Sequence, residues 1–299
     1  MPNFTLRQLQ YFDALARFRQ FGPAADACAI SQPALSMQIK ELEGHLGHQL
    51  FERGTRQVRL TAIGQRLLPI VQGVLRGADT LAETAQAMRG GLPDQLRLGV
   101  IPTVAPYLLP GLIRSLTTAY PAVDLQIRET VTQRLIAELA EGRLDAAIVA
   151  LPVSEPSLQE VPLFEEDFVL VRPMADAGQP VPSRENLREF RLLLLEEGHC
   201  FRDQALSFCK TGGAAPREIM EGSSLSTLVQ MVGAGIGVTL IPEMAIAVET
   251  RSAAVAVARF SGVQPKRRIG MVWRKSSGLA AQLMEVASVV NKAASALRG

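Results

Sequence analysis

The sequence predicts a multidomain α+β protein with an N-terminal winged helix-turn-helix, a long linker helix and a C-terminal α/β effector region. Three observations carry this. Residues 1–60 hold three short helical patterns followed by a basic turn. Residues 65–89 sustain an apolar heptad, and from Gln95 onward strand and helix patterns alternate.

At 299 residues the chain exceeds one ordinary domain. With 47% hydrophobic and 20% charged residues it has the composition of a globular protein, and a net charge of +2 selects no partner by itself. No apolar run reaches the length of a membrane span, and the start MPNFTLRQLQYF lacks the organisation of a signal peptide. Three cysteines, Cys28, Cys200 and Cys209, are too few for a disulfide framework in a chain this long. A cytoplasmic, reducing location and no membrane are expected. His45, His48 and His199 do not fall at metal-ligand spacing with the cysteines, so neither a metal nor another cofactor is expected.

Leu6, Leu9, Phe12, Leu15 and Ala16 form one stripe of a first helix over 6–18. An alanine-rich helix follows from Pro23 to Cys28, with proline near its start, where a missing N–H costs nothing. Cys28 would face the core inside it. Ser31 caps a third helix whose apolar face is Ala34, Leu35, Ile39, Leu42 and Leu46. Small residues where the second helix meets the third allow a close crossing. Gln32, Ser36, Gln38 and Lys40 lie off the apolar stripe, placed to reach base edges and phosphates in a DNA major groove. Residues 50–60 read as two short strands around a turn, and Arg53, Arg56 and Arg59 make a basic wing. A three-helix interaction module with merely solvated arginines fits the same pattern.

From Gln65 to Arg89, Leu67, Val71, Val74, Ala78, Leu81, Ala85 and Met88 follow alternating spacings of four and three. So narrow a seam asks for a partner helix, hence a homodimer through this element; a helix packed on its own domain is the alternative. Pro69 should kink or interrupt its first turns. The run Gly90-Gly91-Leu92-Pro93 reads as a hinge.

Beyond the hinge, strands are expected at 96–100, 124–129, 146–150, 168–172, 191–195, 237–241 and 269–273. Helices are expected at 108–118, 132–141, 200–211 and 224–234. Within this region the stretch LLLLEEGHCFRDQALSFCK stands out. A buried strand, Leu192–Leu195, breaks at Glu196, Glu197 and Gly198, and Cys200 then sits in a first helical turn, where backbone N–H groups favour a thiolate. Cys209 lies nine residues on, about 13 to 14 Å away along an unbroken helix, whereas a disulfide needs Cα atoms within about 7 Å. Bonding the pair requires the helix to open. The plainer alternative is two small buried hydrophobes.

The run AADACAISQPALSMQIKELEGHLGHQLFERGTRQVRLTAIG resembles the winged helix-turn-helix of LysR-type transcriptional regulators at nearly every position, including S-Q-P-A-L-S and L-F-x-R. That resemblance implies binding to a double-stranded DNA operator, with Ser31, Gln32, Pro33 and Ser36 approaching bases and Lys40, Arg53 and Arg56 holding the backbone. It also implies a two-lobed, periplasmic-binding-protein-like effector domain, with crossover strands near 165–167 and near 267–269. The domains would be 1–62 (winged helix-turn-helix), 63–92 (linker and hinge), 93–165 (lobe I), 166–267 (lobe II with Cys200 and Cys209) and 268–299 (return to lobe I). Within the family, the segments IPTVAPYLLP, LFEEDFVLV, EEGHCFRDQALSFC and KRRIGMVWR are most similar to the hydrogen-peroxide-sensing branch.

That likeness implies that Cys200 is the peroxide-reactive residue and Cys209 the resolving one. It places Thr103, Thr132 and His199 in the peroxide pocket, with Arg267 beside the thiolate. It further implies a homotetramer and contact with RNA polymerase. The chain departs from the pattern at Phe201, where leucine is usual, and at Lys266-Arg267-Arg268, one charge richer, which leaves Arg267 and Arg268 both open as the group nearest the thiol. Helix capping is the alternative role of Thr103 and Thr132. Unstrained disulfides sit below about −300 mV; about 5 kcal/mol for undoing the helix raises that by about 110 mV, to near −190 mV, within cytosolic reach. Two other functions remain open: a regulator of this architecture that binds a small organic effector in its cleft, and a thiol peroxidase, against which residues 1–60 count.

Overall fold

The computed structural model describes residues 3–52, 58–87, 91–183, 186–209, 218–260, 262 and 264–297, with backbone alone at 86, 87, 188, 209, 218 and 219. The chain divides into two compact units, Met1–Ala82 and Glu83–Gly299.

In the first unit, α1 (Leu6–Phe18) opens on a capping box: Thr5 Oγ1 accepts from Gln8 N at 3.2 Å and Gln8 Oε1 accepts from Thr5 N at 3.0 Å. Its apolar stripe buries Leu9, Phe12 and Leu15. Helix α2 (Phe21–Ala27) starts earlier than its proline suggested and turns Ala24 and Ala25 inward, which allows close packing on α1 and α3. Cys28 is not inside α2: it is the C-cap residue, half-buried against the helical core, and burial pushes its thiol up. Helix α3 (Gln32–Leu46) is capped by Ser31 Oγ, which accepts from Ala34 N, and it buries Leu35, Ile39 and Leu42. Glu43 then accepts from Leu50 N and Phe51 N at 2.7 and 3.3 Å, tying α3 to the wing. Among the described residues the wing shows one antiparallel bridge, Phe51 to Leu60; residues 53–57, with Arg53 and Arg56, lie outside the described residues, and with them the turn between the two expected strands.

Helix α4 (Ala62–Ala87) runs through Pro69 without interruption, contrary to one reading of that proline. On its seam Val71 is buried, while Val74 and Leu81 are 47% and 73% exposed. Met88 lies outside the described residues. No described helix is long and apolar enough to cross a membrane.

The second unit is built on one mixed sheet. Strands β1 (Gln95–Val100), β2 (Asp124–Glu129) and β3 (Ala146–Leu151) are parallel. Helices α5 (Ala105–Ala119) and α6 (Thr132–Ala140) connect them. The long strand β4 (Leu158–Pro173) begins antiparallel to β9 (Lys266–Arg274), which also pairs with β3. From Phe168 onward β4 pairs instead with β7 (Val238–Pro242) and β8 (Val255–Ala258). That change of partner, in the stretch read as a crossover, joins two separate hydrophobic cores. The second core includes β5 (Arg191–Leu195), α7 (Cys200–Cys209) and α8 (Leu225–Gly233), with β6 (Glu218–Gly222) on the sheet's edge and the single turn α9 (Ile246–Glu249) beside it. The closing helix α10 (Ala280–Ala296) returns to the first core, where Leu283, Val286 and Val290 are fully buried.

Sequence reading placed a crossover strand near 165–167 and a strand at 168–172 but did not extend them back to Leu158, where Pro162 interrupts the pattern. A register shift between Pro162 and Phe164 accommodates the proline. The acidic run faces the basic run of β9: Glu165 opposes Arg268, Glu166 opposes Arg267 and Asp167 opposes Lys266. Strand periodicity then decides their surroundings. The middle pair points inward, with both side chains essentially without exposure, while Glu165 and Arg268 stay in solvent at 51% and 56%.

Candidate functional site at the start of a helix

Gly198 has φ +94°, a left-handed conformation that L side chains rarely adopt, and it turns the chain from β5 into α7. His199 and Cys200 therefore arrive at the helix start. The first turn straddles the two cores: Cys200, half-buried and unbonded, packs against the first, while Phe201 is fully buried in the second. The Phe201 ring meets Phe168 edge-on at 4.8 Å. Arg202 pairs with Glu221 of β6 and donates to the Leu195 carbonyl at 3.2 Å, so the first turn is held to two strands. Ala205 and Phe208 continue the buried face, and Phe208 packs on Phe260 at 5.2 Å. The described helix ends at Cys209, short of the expected Thr211; residues 210–217, and the Cys209 side chain, lie outside the described residues.

A cavity of about 340 Å³ opens beside this helix start, with Thr103, Tyr107, Glu129, His199, Ser226 and Glu249 among its walls. Burial pushes the His199 imidazole below its ordinary value, and the nearby Glu196 carboxylate opposes the shift. The ring is thus held neutral near pH 7, able to donate one hydrogen bond and accept another. Thr103 is not a helix cap. Its hydroxyl accepts from Arg267 Nη1 at 2.6 Å and its carbonyl accepts from Arg267 Nη2 at 3.0 Å. Thr132 does not cap either: it is the first residue of α6, preceded by Val131 as N-cap, and its buried hydroxyl has no hydrogen-bond partner among the described residues. It does not itself line the cavity, but Thr130 and Val131 do.

Of the two arginines left open, Arg267 is the buried one. Glu166 Oε1 accepts from its Nε at 2.6 Å and lies 2.5 Å from its Nη2. The Phe168 and Phe201 ring centroids lie 5.9 and 5.8 Å from its guanidinium carbon. Arg268 is bound to Glu165 in solvent.

Sequence reading missed Glu166, and it missed a second buried carboxylate, Glu249. Glu249 accepts from Tyr107 Oη at 2.6 Å and from Ser226 Oγ at 2.5 Å, linking α5 to α8 and α9. Burial first, then the bond to Glu249, pushes the Tyr107 hydroxyl far above its ordinary range. The signal for Glu166 was present in the mirrored charge runs Glu165-Glu166-Asp167 and Lys266-Arg267-Arg268. Nothing local announced the Tyr107–Glu249 bond.

On the helix-turn-helix, Ser31, Gln32 and Pro33 are exposed at the start of α3, Lys40 is exposed near its middle, and Ser36 is half-buried. Met37, 62% exposed, shares that surface and had not been singled out.

Two known families match the chain. The bacterial regulatory helix-turn-helix protein, lysR family, covers residues 6–65, and the LysR substrate binding domain covers residues 89–294. A "Probable hydrogen peroxide-inducible genes activator" of Streptomyces viridosporus is 44% identical over 97% of this chain and 94% of its own length. The DNA-binding transcriptional dual regulator OxyR of Escherichia coli is 39% identical over 95% of this chain and 94% of that protein. Among solved structures, full-length OxyR of Pseudomonas aeruginosa with a cysteine-to-aspartate change covers 96% of this chain and 95% of that one, at 37% identity and TM-score 0.77. A hydrogen-peroxide-bound cysteine-to-serine OxyR of Corynebacterium glutamicum covers 99% and 94%, at 38% identity and TM-score 0.68. The chain belongs to the LysR family of bacterial transcription regulators, in its redox-sensing OxyR branch.

Proposed function

We propose that hydrogen peroxide oxidises Cys200, that the sulfenic acid condenses with Cys209, and that the opening of α7 which this demands alters how the protein holds its DNA operator. One observation carries the reading: Cys200 and Cys209 begin and end a single helix, and Cys200 is unbonded. Nine residues of helix separate them by about 13 to 14 Å, roughly twice the reach of a disulfide. Crosslinking and an intact α7 are mutually exclusive.

In the first step the Cys200 thiolate attacks one peroxide oxygen. The S–O bond forms as the O–O bond breaks, and hydroxide leaves with the electron pair and becomes water on protonation. In the second step the Cys209 sulfur displaces that oxygen as a second water. Thr103, Thr132 and His199 supply hydrogen bonds to the oxygens, and Arg267 orders the surround. DNA contacts come from Ser31, Gln32, Pro33, Ser36, Lys40, Arg53 and Arg56. The exposed α4 seam is the dimer contact, two dimers form the tetramer, and the DNA-bound form meets RNA polymerase in the cytoplasm. The lobes and domain limits are those given from sequence.

Mass spectrometry of the peroxide-treated full chain tests this. A 200–209 crosslink that disappears in Cys200→Ser is the expected result; no crosslink in the unaltered chain overturns it. Multiple-turnover peroxide consumption in the presence of a thiol reductant would instead indicate a peroxidase, whereas a stoichiometric reaction excludes one. The cavity's polar walls favour the organic-effector reading as the second choice, and that reading predicts an unchanged peroxide response in Cys200→Ser.

A further inference from the structure

Arg267 is already held on two edges before any peroxide arrives. One edge of its guanidinium meets Glu166 Oε1, at 2.6 Å from Nε and 2.5 Å from Nη2. The other edge holds Thr103, at 2.6 Å to the hydroxyl and 3.0 Å to the carbonyl. Both charged side chains are essentially without exposure, so solvent does not screen the pair, and together they carry no net charge. The second Glu166 oxygen accepts from Met244 N at 3.4 Å, which fixes the carboxylate in turn.

This arrangement has a consequence for Thr103. A hydroxyl has one proton and two lone pairs. Once Oγ1 accepts from a guanidinium, its own proton must go elsewhere, and none of the described hydrogen bonds receives it. Thr103 lines the cavity that His199 also lines, at the start of the helix that carries Cys200. We infer that Glu166 is a positioning residue for the peroxide step: by holding and neutralising Arg267, it fixes the Thr103 hydroxyl as a donor into the cavity.

The inference rests on the proposed peroxide reaction and assigns the donor within it. As the Cys200 thiolate attacks and the O–O bond breaks, negative charge develops on the departing hydroxide. A donor already aimed at that oxygen stabilises the charge without reorganising. Arg267 acts through Thr103, and its own charge is spent on Glu166. Strand register made this possible: Glu166 and Arg267 are cross-strand partners whose neighbours on both sides face the other way.

The test compares two reagents on Cys200 in the full chain, hydrogen peroxide and iodoacetamide, by stopped flow. Alkylation creates no oxyanion and needs no donor. Glu166→Gln should slow the peroxide reaction about 10- to 100-fold, toward the range seen on removing one oxyanion donor, and leave alkylation within about twofold. Thr103→Val should do the same, Thr103→Ser should retain the rate, and Thr103→Val with Glu166→Gln should be no slower than Thr103→Val alone, because both changes remove one interaction. Should Glu166→Gln not fold, Glu166→Leu with Arg267→Met removes both charges together and is expected to show the same selective loss. A Glu166→Gln protein that reacts with peroxide at the unaltered rate or faster, equal slowing of both reagents, or strictly additive losses overturns the inference. If the unaltered chain itself fails to react with peroxide at Cys200, the proposed function has failed instead.

Discussion

Phe201 should set how readily the switch resets. Its ring has no exposed surface and packs edge-on against Phe168 at 4.8 Å. It also adjoins Cys200, so a helix that opens to bring the sulfurs together must withdraw it from the second core. Truncating a fully buried phenylalanine to alanine destabilises the packed form by about 3–5 kcal/mol. The open form has already lost that packing and is spared. At 30 mV per 1.4 kcal/mol, Phe201→Ala should therefore lower the midpoint potential by about 65–105 mV. Phe201→Leu, which keeps a large apolar side chain, loses chiefly the aromatic pair, about 0.5–1.5 kcal/mol, or about 10–30 mV. The sign is fixed: weakening the dithiol form makes the disulfide harder to reduce. The assay equilibrates each full-length protein in graded glutathione buffers, quenches in acid, and counts the 200–209 crosslink by mass spectrometry. A Phe201→Ala potential within about 10 mV of the unaltered chain, or above it, would mean that Phe201 stays buried on oxidation, and the requirement for helix opening would be refuted.

Three further outcomes are expected. His199 is held neutral by burial, so its folded value lies below the unfolded value of about 6.5; stability from this group is complete above that pH and is lost as pH falls below it. His199→Gln should flatten the fall in Tm between about pH 6.5 and 5.5, and an unchanged slope would count against the buried neutral ring. Glu83, in the last turns of α4, pairs with Arg274 at 2.9 Å and accepts from Ser277 Oγ and Gly278 N, with both charged side chains about nine-tenths buried. Glu83→Gln leaves that guanidinium uncompensated at about 3 kcal/mol, which calorimetry should register as a Tm about 6–12 °C lower for the second unit. A shift under about 2 °C would show the pair to be solvated. Leu81, 73% exposed on the heptad seam, should tolerate glutamate within one chain but not between two, so Leu81→Glu should sediment as a monomer; a persistent dimer would move the contact elsewhere.

Local order was legible because it is encoded locally. The periodicities of α1, α3 and α4, the Ser31 cap, the break at Glu196-Glu197-Gly198 and the nine-residue spacing of the thiols each lie within one turn or one element. The same logic extends to α10, whose stripe Leu283, Val286, Ala287, Val290 and Ala294 carries helical spacing although residues 275–299 received no helix from sequence. Strand β8 has only four residues and β6, EIMEG, lacks the apolar run that marked β5 and β7, while of the 16 residues of β4 only 168–172 and the crossover near 165–167 were read as strand because Pro162 interrupts the pattern.

The sequence by itself determined the helix-turn-helix, the linker, the alternating effector region and a helix with a thiol at each end. Tertiary structure alone decided which arginine is buried, that its charge is already met by Glu166, that Thr103 is held by it, and that Tyr107 reaches Glu249. The reason is distance along the chain. Helical patterns arise between residues three or four apart, whereas Glu166 and Arg267 are 101 residues apart and Tyr107 and Glu249 are 142. Those partners meet only through strand register and the packing of two cores, which fix side-chain direction by alternation along β4 and β9 rather than by any residue's own preference.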